Sequence, residues 1–248
     1  MEKTFSGAVF CGLMTHMKIY QADKAVFIFR NNAVEFLNGL TANAMDKAQN
    51  AFVDIHGMII SVFDQLVLND EEVLTVLERD RVEAVLSHLD RYMRVSGVKV
   101  GQKDWNVYFD CVGNTALAEG DYVIPQKKGR LIVTPRQLQP MMSEEDFRLF
   151  RVQNNISLQG VDFKAGEFLL NISEEDFVSF TKGCFLGQEP ISKVHNRAKP
   201  SWKLVVKAED DCSDEERAKM TSRVSDLSSK KVMGFVLISS NKIKENQD

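Results

Sequence analysis

Thr181-Lys182-Gly183-Cys184-Phe185-Leu186-Gly187-Gln188-Glu189, followed at once by Pro190-Ile191-Ser192-Lys193-Val194-His195-Asn196-Arg197, is the densest local signal in the chain. Glycines at 183 and 187 permit a tight backbone on both sides of Cys184, since glycine reaches conformations other residues avoid. Gln188-Glu189-Pro190 reads as a first helical turn, where proline is tolerated because the donor it lacks would have no helical partner. Cys184 then stands just ahead of a helix N-terminus, two residues from Lys182. A helix dipole and a nearby cation favour the thiolate, so one reading is a reactive thiol. The other is a small buried core residue, a common setting for free cysteine. From Lys182 to Lys207 the chain carries six Lys or Arg against one acid, Glu189. That excess suits a polyanionic ligand tail, or equally a solvated basic face opposite the acidic run Glu209–Glu216.

Outward from this segment the pattern is mixed. Residues 16–30 read as a strand, and Asn31 or Asn32 is expected to cap a helix with Ala33, Phe36, Leu37 and Leu40 on one face. Ala51–Ile55, Ile59–Leu68 and Val73–Leu77 read as antiparallel strands, with a bend at Gly57 and a turn at Asn69–Glu71. Asp80 is expected to cap an amphipathic helix carrying Val82, Val85, Leu86, Leu89 and Met93, and Val95–Val100 to form the next strand. A second unit opens near Trp105, with strands at Asn106–Val112 and Arg130–Thr134 and a helix started by Ser143-x-x-Asp146. Beyond Arg197 come strands at Trp202–Val206, Met220–Ser225 and Val232–Ile238, with Glu209–Glu216 as an exposed acidic loop.

The 248 residues, 44% of them hydrophobic, suffice for a substantial core. A formal charge of -4 argues against a broad phosphate-tracking surface, hence against direct nucleic-acid binding. Cys11, Cys111, Cys184 and Cys212 are scattered, which suggests neither a disulfide framework nor a metal site of their own. The opening residues resemble no leader peptide and no stretch nears a membrane span, so a cytoplasmic protein without a membrane partner is expected.

Lys182–Glu189 resembles the K-G-C-[FY]-x-G-Q-E signature of YgfZ-type proteins in the folate-binding GcvT/YgfZ superfamily, relatives of the glycine-cleavage T-protein. Ala33-x-x-Phe36-Leu37-Asn38-Gly39-Leu40-Thr41-x-Asn43 resembles the family's AxxFLxGLxTN, and Asp54-x-x-Gly57-x-Ile59 its D-x-x-G-x-I. His88–Tyr92 matches a helix end, and Arg151–Ile156 stands where R-[IL]-x-x-G-[IL] is expected; the likeness spans roughly 15–206. It implies an α+β fold of two related folate-binding subdomains around a central cavity, residues 1–104 and 105–198, plus a short C-terminal β-barrel-like module, 199–248. It also implies tetrahydrofolate or a derivative as cofactor. Carried over by position, Asn43, Gln153, Lys182, Gln188, Glu189 and Arg197 contact the folate, and Cys184 does the chemistry.

Departures from the family pattern separate its branches. Where the superfamily's aminomethyltransferases carry a catalytic aspartate in G-G-I-x-D-D, this chain has Gly57-Met58-Ile59-Ile60-Ser61-Val62. Asp64 follows two residues later, which keeps the strand face but moves the group by ~7 Å, too far to replace an acid within hydrogen-bond reach. Gln153 stands at the transferase's pterin-binding Glu and supplies hydrogen bonds without charge. Asn155 and Ala198 replace family glycines. The implied function is a folate-binding accessory protein of iron–sulfur cluster assembly or repair, acting on tRNA modification indirectly through client or assembly proteins. The alternative is a tetrahydrofolate-dependent aminomethyl or methyl transferase. A hydrolase or acyltransferase pairing Cys184 with His195 ranks third, because eleven residues on, in the short helix that follows, the ring lies roughly two to three turns away.

Overall fold

The computed structural model describes residues 18–197, 199–226 and 230–240; Cys11, His16 and Ala198 lie outside them. The run expected over 16–30 is split at Asp23 into β1 (Ile19–Ala22) and β2 (Lys24–Arg30). Every β2 residue from Ala25 to Phe29 is buried, as expected of a strand covered on both faces. α1 (Ala33–Leu40) follows, burying Ala33, Leu37 and Leu40. Its entry differs from the expected cap: Asn31 and Asn32 are both left-handed, with φ of 67° and 58°. The Asn32 side chain donates to Glu35 instead of accepting from the first turn. Asparagine tolerates that conformation, and here it reverses the chain from strand to helix.

β3 (Gln49–Val53), β4 (Ile59–Asn69) and β5 (Glu72–Glu78) form the antiparallel strands expected, turning at Asp70–Glu71. A 3-10 turn over Arg79–Arg81 precedes α2 (Val82–Ser96), so Asp80 pairs with Arg81 and does not cap the helix. The helix continues through Val95, with the Gly97 N–H closing on the Met93 carbonyl, and the next strand starts only at β6 (Lys99–Lys103). β7 (Asn106–Asp110), β9 (Arg130–Thr134) and α3 (Glu144–Gln153) stand where the sequence suggests, and Ser143 Oγ accepts from the Asp146 N–H at 3.1 Å. β8 (Tyr122–Pro125) has no counterpart in the sequence reading. Four residues ending in proline are too few to show an alternation.

The pairings are antiparallel within three sheets, ordered β3-β4-β5-β2-β6, β1-β7-β9-β8 and β10-β12-β11. One face of the five-stranded sheet packs Phe27, Phe29, Val73 and Leu77 against α1 and α2. The other packs Val26, Leu74 and Val76 against Val107, Phe109, Leu131 and Val133 of the four-stranded sheet, joined by Phe147 of α3. Since β1 belongs to one sheet and β2 to the other, the chain crosses between them at Asp23. Two further short helices, α4 (Leu169–Ile172) and α5 (Glu174–Phe177), lead to α6 (Gln188–Arg197).

β10 (Trp202–Ala208), β11 (Thr221–Asp226) and β12 (Lys231–Ser239) make an open sheet, and no barrel closes among the described residues. The expected acidic loop is instead a 3-10 turn, Glu209–Asp211, and α7 (Asp214–Lys219). Ser213 and Glu216 form a capping box, and Glu216 is buried against Lys207 at 2.8 Å. A capping box satisfies two helix-start donors at once, which turns a run of like charges into a helix. Arg151 and Asp162, both buried, pair at 2.8 Å, and the Thr221 and Ser222 hydroxyls donate to the same carboxylate, fastening β11 to the core.

Candidate functional site

The 181–187 loop is fixed from below by Lys182. Its Nζ donates to the carbonyls of Asn38, Thr41 and Asn43 at 2.7, 2.6 and 3.0 Å, and it lies 5.1 Å from the Phe185 ring centre. All three ammonium donors are thereby used. Burial pushes this ammonium down to about 8. The Leu186 N–H bonds the Gly39 carbonyl, and Gln188 opens α6 as the sequence suggests. Cys184 itself is exposed at the surface.

Asn43 is buried, its amide nitrogen donating to the carbonyls of Gln49 and Asp176, both at 3.0 Å. Asn43 and Lys182 are therefore brought together. Gln188 is half-buried, while Glu189 and Arg197 are exposed along α6. Gln153 is exposed and donates to Asp226 of β11 at 3.3 Å.

A cavity of about 230 Å³ lies where the chain crosses between the two sheets, and none of those residues lines it. One wall is aromatic: Tyr20 stacks on Phe147 with centroids 4.0 Å apart, and Phe109 tilts against the same ring at 5.2 Å. Other parts of the lining are polar. Asp64 Oδ1 accepts from Gln126 Nε2 at 2.9 Å and from Gln49 Nε2 at 3.3 Å. The Lys24 ammonium stands 3.6 Å from Asp64 Oδ2 and 2.7 Å from Glu78 Oε1. Burial acts to lower the pKa of Lys24, but Glu78 and Asp64 together outweigh it and hold the group above its ordinary value. Four carboxylates, Asp23, Asp64, Glu78 and Asp176, line the cavity against the ammonium groups of Lys24 and Lys127, and Asp23 is itself paired with Arg79 at 2.7 Å, which leaves an excess of one negative charge. Its field thus favours ligands that donate hydrogen bonds or carry positive charge.

No family model matches the sequence, and no curated protein matches it. Among solved structures it is similar to the glycine cleavage system aminomethyltransferase T from Bartonella henselae. The TM-score is 0.68 at 14% identity, over 90% of this chain and 80% of that one. The fold is that of a glycine-cleavage T-protein. Within this T-protein-like fold, Ser61 is fully buried and its hydroxyl donates to the Val62 carbonyl at 2.9 Å, so it does not face the cavity as an acid would. Val62 and Asp64, two apart on β4, both line the cavity.

Asp64 was legible as a same-face neighbour of Val62. Lys24 and Glu78 were not, because only the β2–β5 register sets them opposite each other. His195 stacks on Phe180 at 3.8 Å and faces Glu174 through Nδ1 at 3.0 Å, and makes no bond to Cys184. Among the described residues no helix is long and apolar enough to cross a membrane, and no group of three or more His, Cys, Asp or Glu could hold a metal ion.

Proposed function

We propose that this chain binds a reduced folate in the cavity and serves iron–sulfur cluster assembly or repair as an accessory protein, with Cys184 as its reactive thiol. The observation that carries the folate reading is Asp64, a carboxylate that lines the same cavity as the stacked rings of Tyr20 and Phe147. A carboxylate accepts two parallel N–H groups, as an aminopyrimidine edge presents them, and aromatic faces stack on a flat ring. At about 230 Å³ the cavity is smaller than the ~300–1,000 Å³ usual for drug-sized ligands, so it suits a two-ring head with the tail outside. Bound tetrahydrofolate would supply a carrier for one-carbon units. The protein's own part is to seat the ring on Asp64 and keep Lys24 and Gln49 beside it, while Gln126 gives up its place on Oδ1 to the ligand.

The accessory role rests on the resemblance of Lys182–Glu189 and on the exposure of Cys184, which a partner protein can reach. An iron centre met by this thiol would be cargo shared with that partner. Asn43 and Lys182 act by fixing the Asp176 side of the cavity, and Gln188, Glu189 and Arg197 belong to the surface near Cys184. Gln153 holds β11. In this reading residues 1–104 and 105–198 are the two related folate-binding halves, with β1 of the first contributing to the sheet of the second, and 199–248 is a partial barrel. The protein works in the cytoplasm and affects tRNA modification through its clients, without touching nucleic acid.

Calorimetric titration with tetrahydrofolate and 5-formyltetrahydrofolate tests the folate reading. Micromolar binding is expected, weakened at least about tenfold in Asp64→Asn, in line with loss of a charged hydrogen-bond partner, and unchanged in Cys184→Ala. Absence of heat with both ligands would refute it. Asp64, although two residues beyond the transferase's acidic position, lines the same cavity as Val62, which favours a second reading, a one-carbon transferase using an acid displaced along the strand. Turnover of an aminomethyl or N-methyl donor with tetrahydrofolate, abolished by Asp64→Asn, would establish that instead.

A further inference from the structure

The turn Gln126–Gly129 joins β8 to β9 and reaches from the four-stranded sheet to the residues of the five-stranded one. Behind it Ile124 and Leu131 are fully buried, so its base is packed into the core. Its tip is different. Gln126 and Lys127 line the cavity, and the bonds they and Pro125 make across it are all polar. Gln126 Nε2 donates to Asp64 at 2.9 Å, Gln49 Nε2 to the Pro125 carbonyl at 3.1 Å, and Lys127 Nζ to Asp176 Oδ2 at 2.8 Å. The Lys127 and Asp176 side chains are 34% and 25% exposed, so water can solvate both as they part. An exposed ion pair shifts an equilibrium by only about two- to fivefold and a hydrogen bond to a charged group by about tenfold. Elements held this way open more readily than a packed core does.

The carboxylate that holds Gln126 is also the one that faces the cavity. A ligand bringing N–H donors to Asp64 therefore competes with Gln126 for Oδ1, and occupancy and opening are linked.

We propose that the Gln126–Gly129 turn is a door to the cavity, latched by Lys127–Asp176 and Gln126–Asp64. Access through this turn is the same whatever ligand the cavity takes.

Val62→Cys places a thiol of similar bulk on the cavity wall of the full chain. Alkylation by N-ethylmaleimide at position 62, read by peptide mass spectrometry, then reports opening, with exposed Cys184 as internal reference. Adding Lys127→Gln should speed labelling about threefold, and adding Gln126→Ala as well about thirtyfold. Raised salt should speed labelling in Val62→Cys alone but not once Lys127 is replaced, because only the ion pair is screened. Hydrogen–deuterium exchange over residues 122–130 reads the same opening without an added thiol, and should rise in Lys127→Gln and Asp176→Asn alike. Equal exchange and equal labelling across these variants would overturn the door. Neither arm contains folate, so a failed folate titration leaves the result standing.

Discussion

Gly187→Ala and Gly183→Ala, two substitutions flanking one cysteine, should behave oppositely. Gly187 has φ of +81°, and a Cβ built on it would lie 2.2 Å from the Asp54 carbonyl oxygen and 2.9 Å from Val53 Cγ2. A left-handed conformation costs an L-residue about 1–2 kcal/mol and overpacking about 1–3 kcal/mol more, so Gly187→Ala should lose about 2–5 kcal/mol. The contact is with backbone, which cannot rotate away as a side chain would. Gly183 has no heavy atom within 4 Å of its Cβ and no positive φ. Alanine there restricts the unfolded chain and should change stability by less than about 1 kcal/mol. Urea unfolding followed by the fluorescence of Trp105 and Trp202 measures both. A Gly187→Ala protein within about 1 kcal/mol of the parent, or a Gly183→Ala protein equally damaged, would show that the 54–57 and 184–187 loops do not pack as described.

Further outcomes follow from buried groups elsewhere. Asp162→Ala leaves the Arg151 guanidinium buried without its anion, and should cost about 3–5 kcal/mol in the same urea assay; a loss under about 1 kcal/mol would refute that role. A hydrogen bond from Arg136 holds the Asp121 carboxyl down at about 2, below its ordinary 3.8. The folded state therefore binds this proton more weakly than the unfolded chain, and the stabilisation is full above about pH 4 and lost as pH falls through about 2. Between pH 5 and pH 2 the parent should accordingly lose more stability than Asp121→Asn, and equal losses would exclude the linkage. In the native protein N-ethylmaleimide should modify Cys184 long before Cys111 or Cys212. Both of these are buried, and burial pushes the Cys111 thiol up to about 12. Comparable rates at all three, by peptide mapping, would contradict the burial pattern.

Much of the architecture was readable from local pattern, because periodicity and capping depend on near neighbours. The stripe Val82–Met93, the Ser143 cap and the helix opening at Gln188 each follow from residues within a few positions. Where local signals compete, the outcome was not readable: Asp80 loses its capping role to a 3-10 turn, and Glu209–Glu216 folds on a capping box hidden in a charge run.

The candidate site divides along the same line. Residues 181–197 show by themselves a glycine-flanked cysteine ahead of a helix, and the fold implied by the chain's resemblance to a known superfamily agrees with the similarity of the structure to an aminomethyltransferase T. Which glycine the loop requires, and that Cys184 is exposed while Lys182 is drawn inward by three carbonyls, depends on α1 and the 54–57 turn packing beneath the loop. The cavity is a purely tertiary product. Lys24, Asp64 and Glu78 are far apart in sequence, Tyr20 and Phe147 farther still, and no local rule joins them. Antiparallel register sets Lys24 opposite Glu78, and the crossing of the chain between two sheets at Asp23 opens the space their charges face. Register and sheet packing are set by the summed burial of both layers, a non-local quantity that no short stretch of the chain contains.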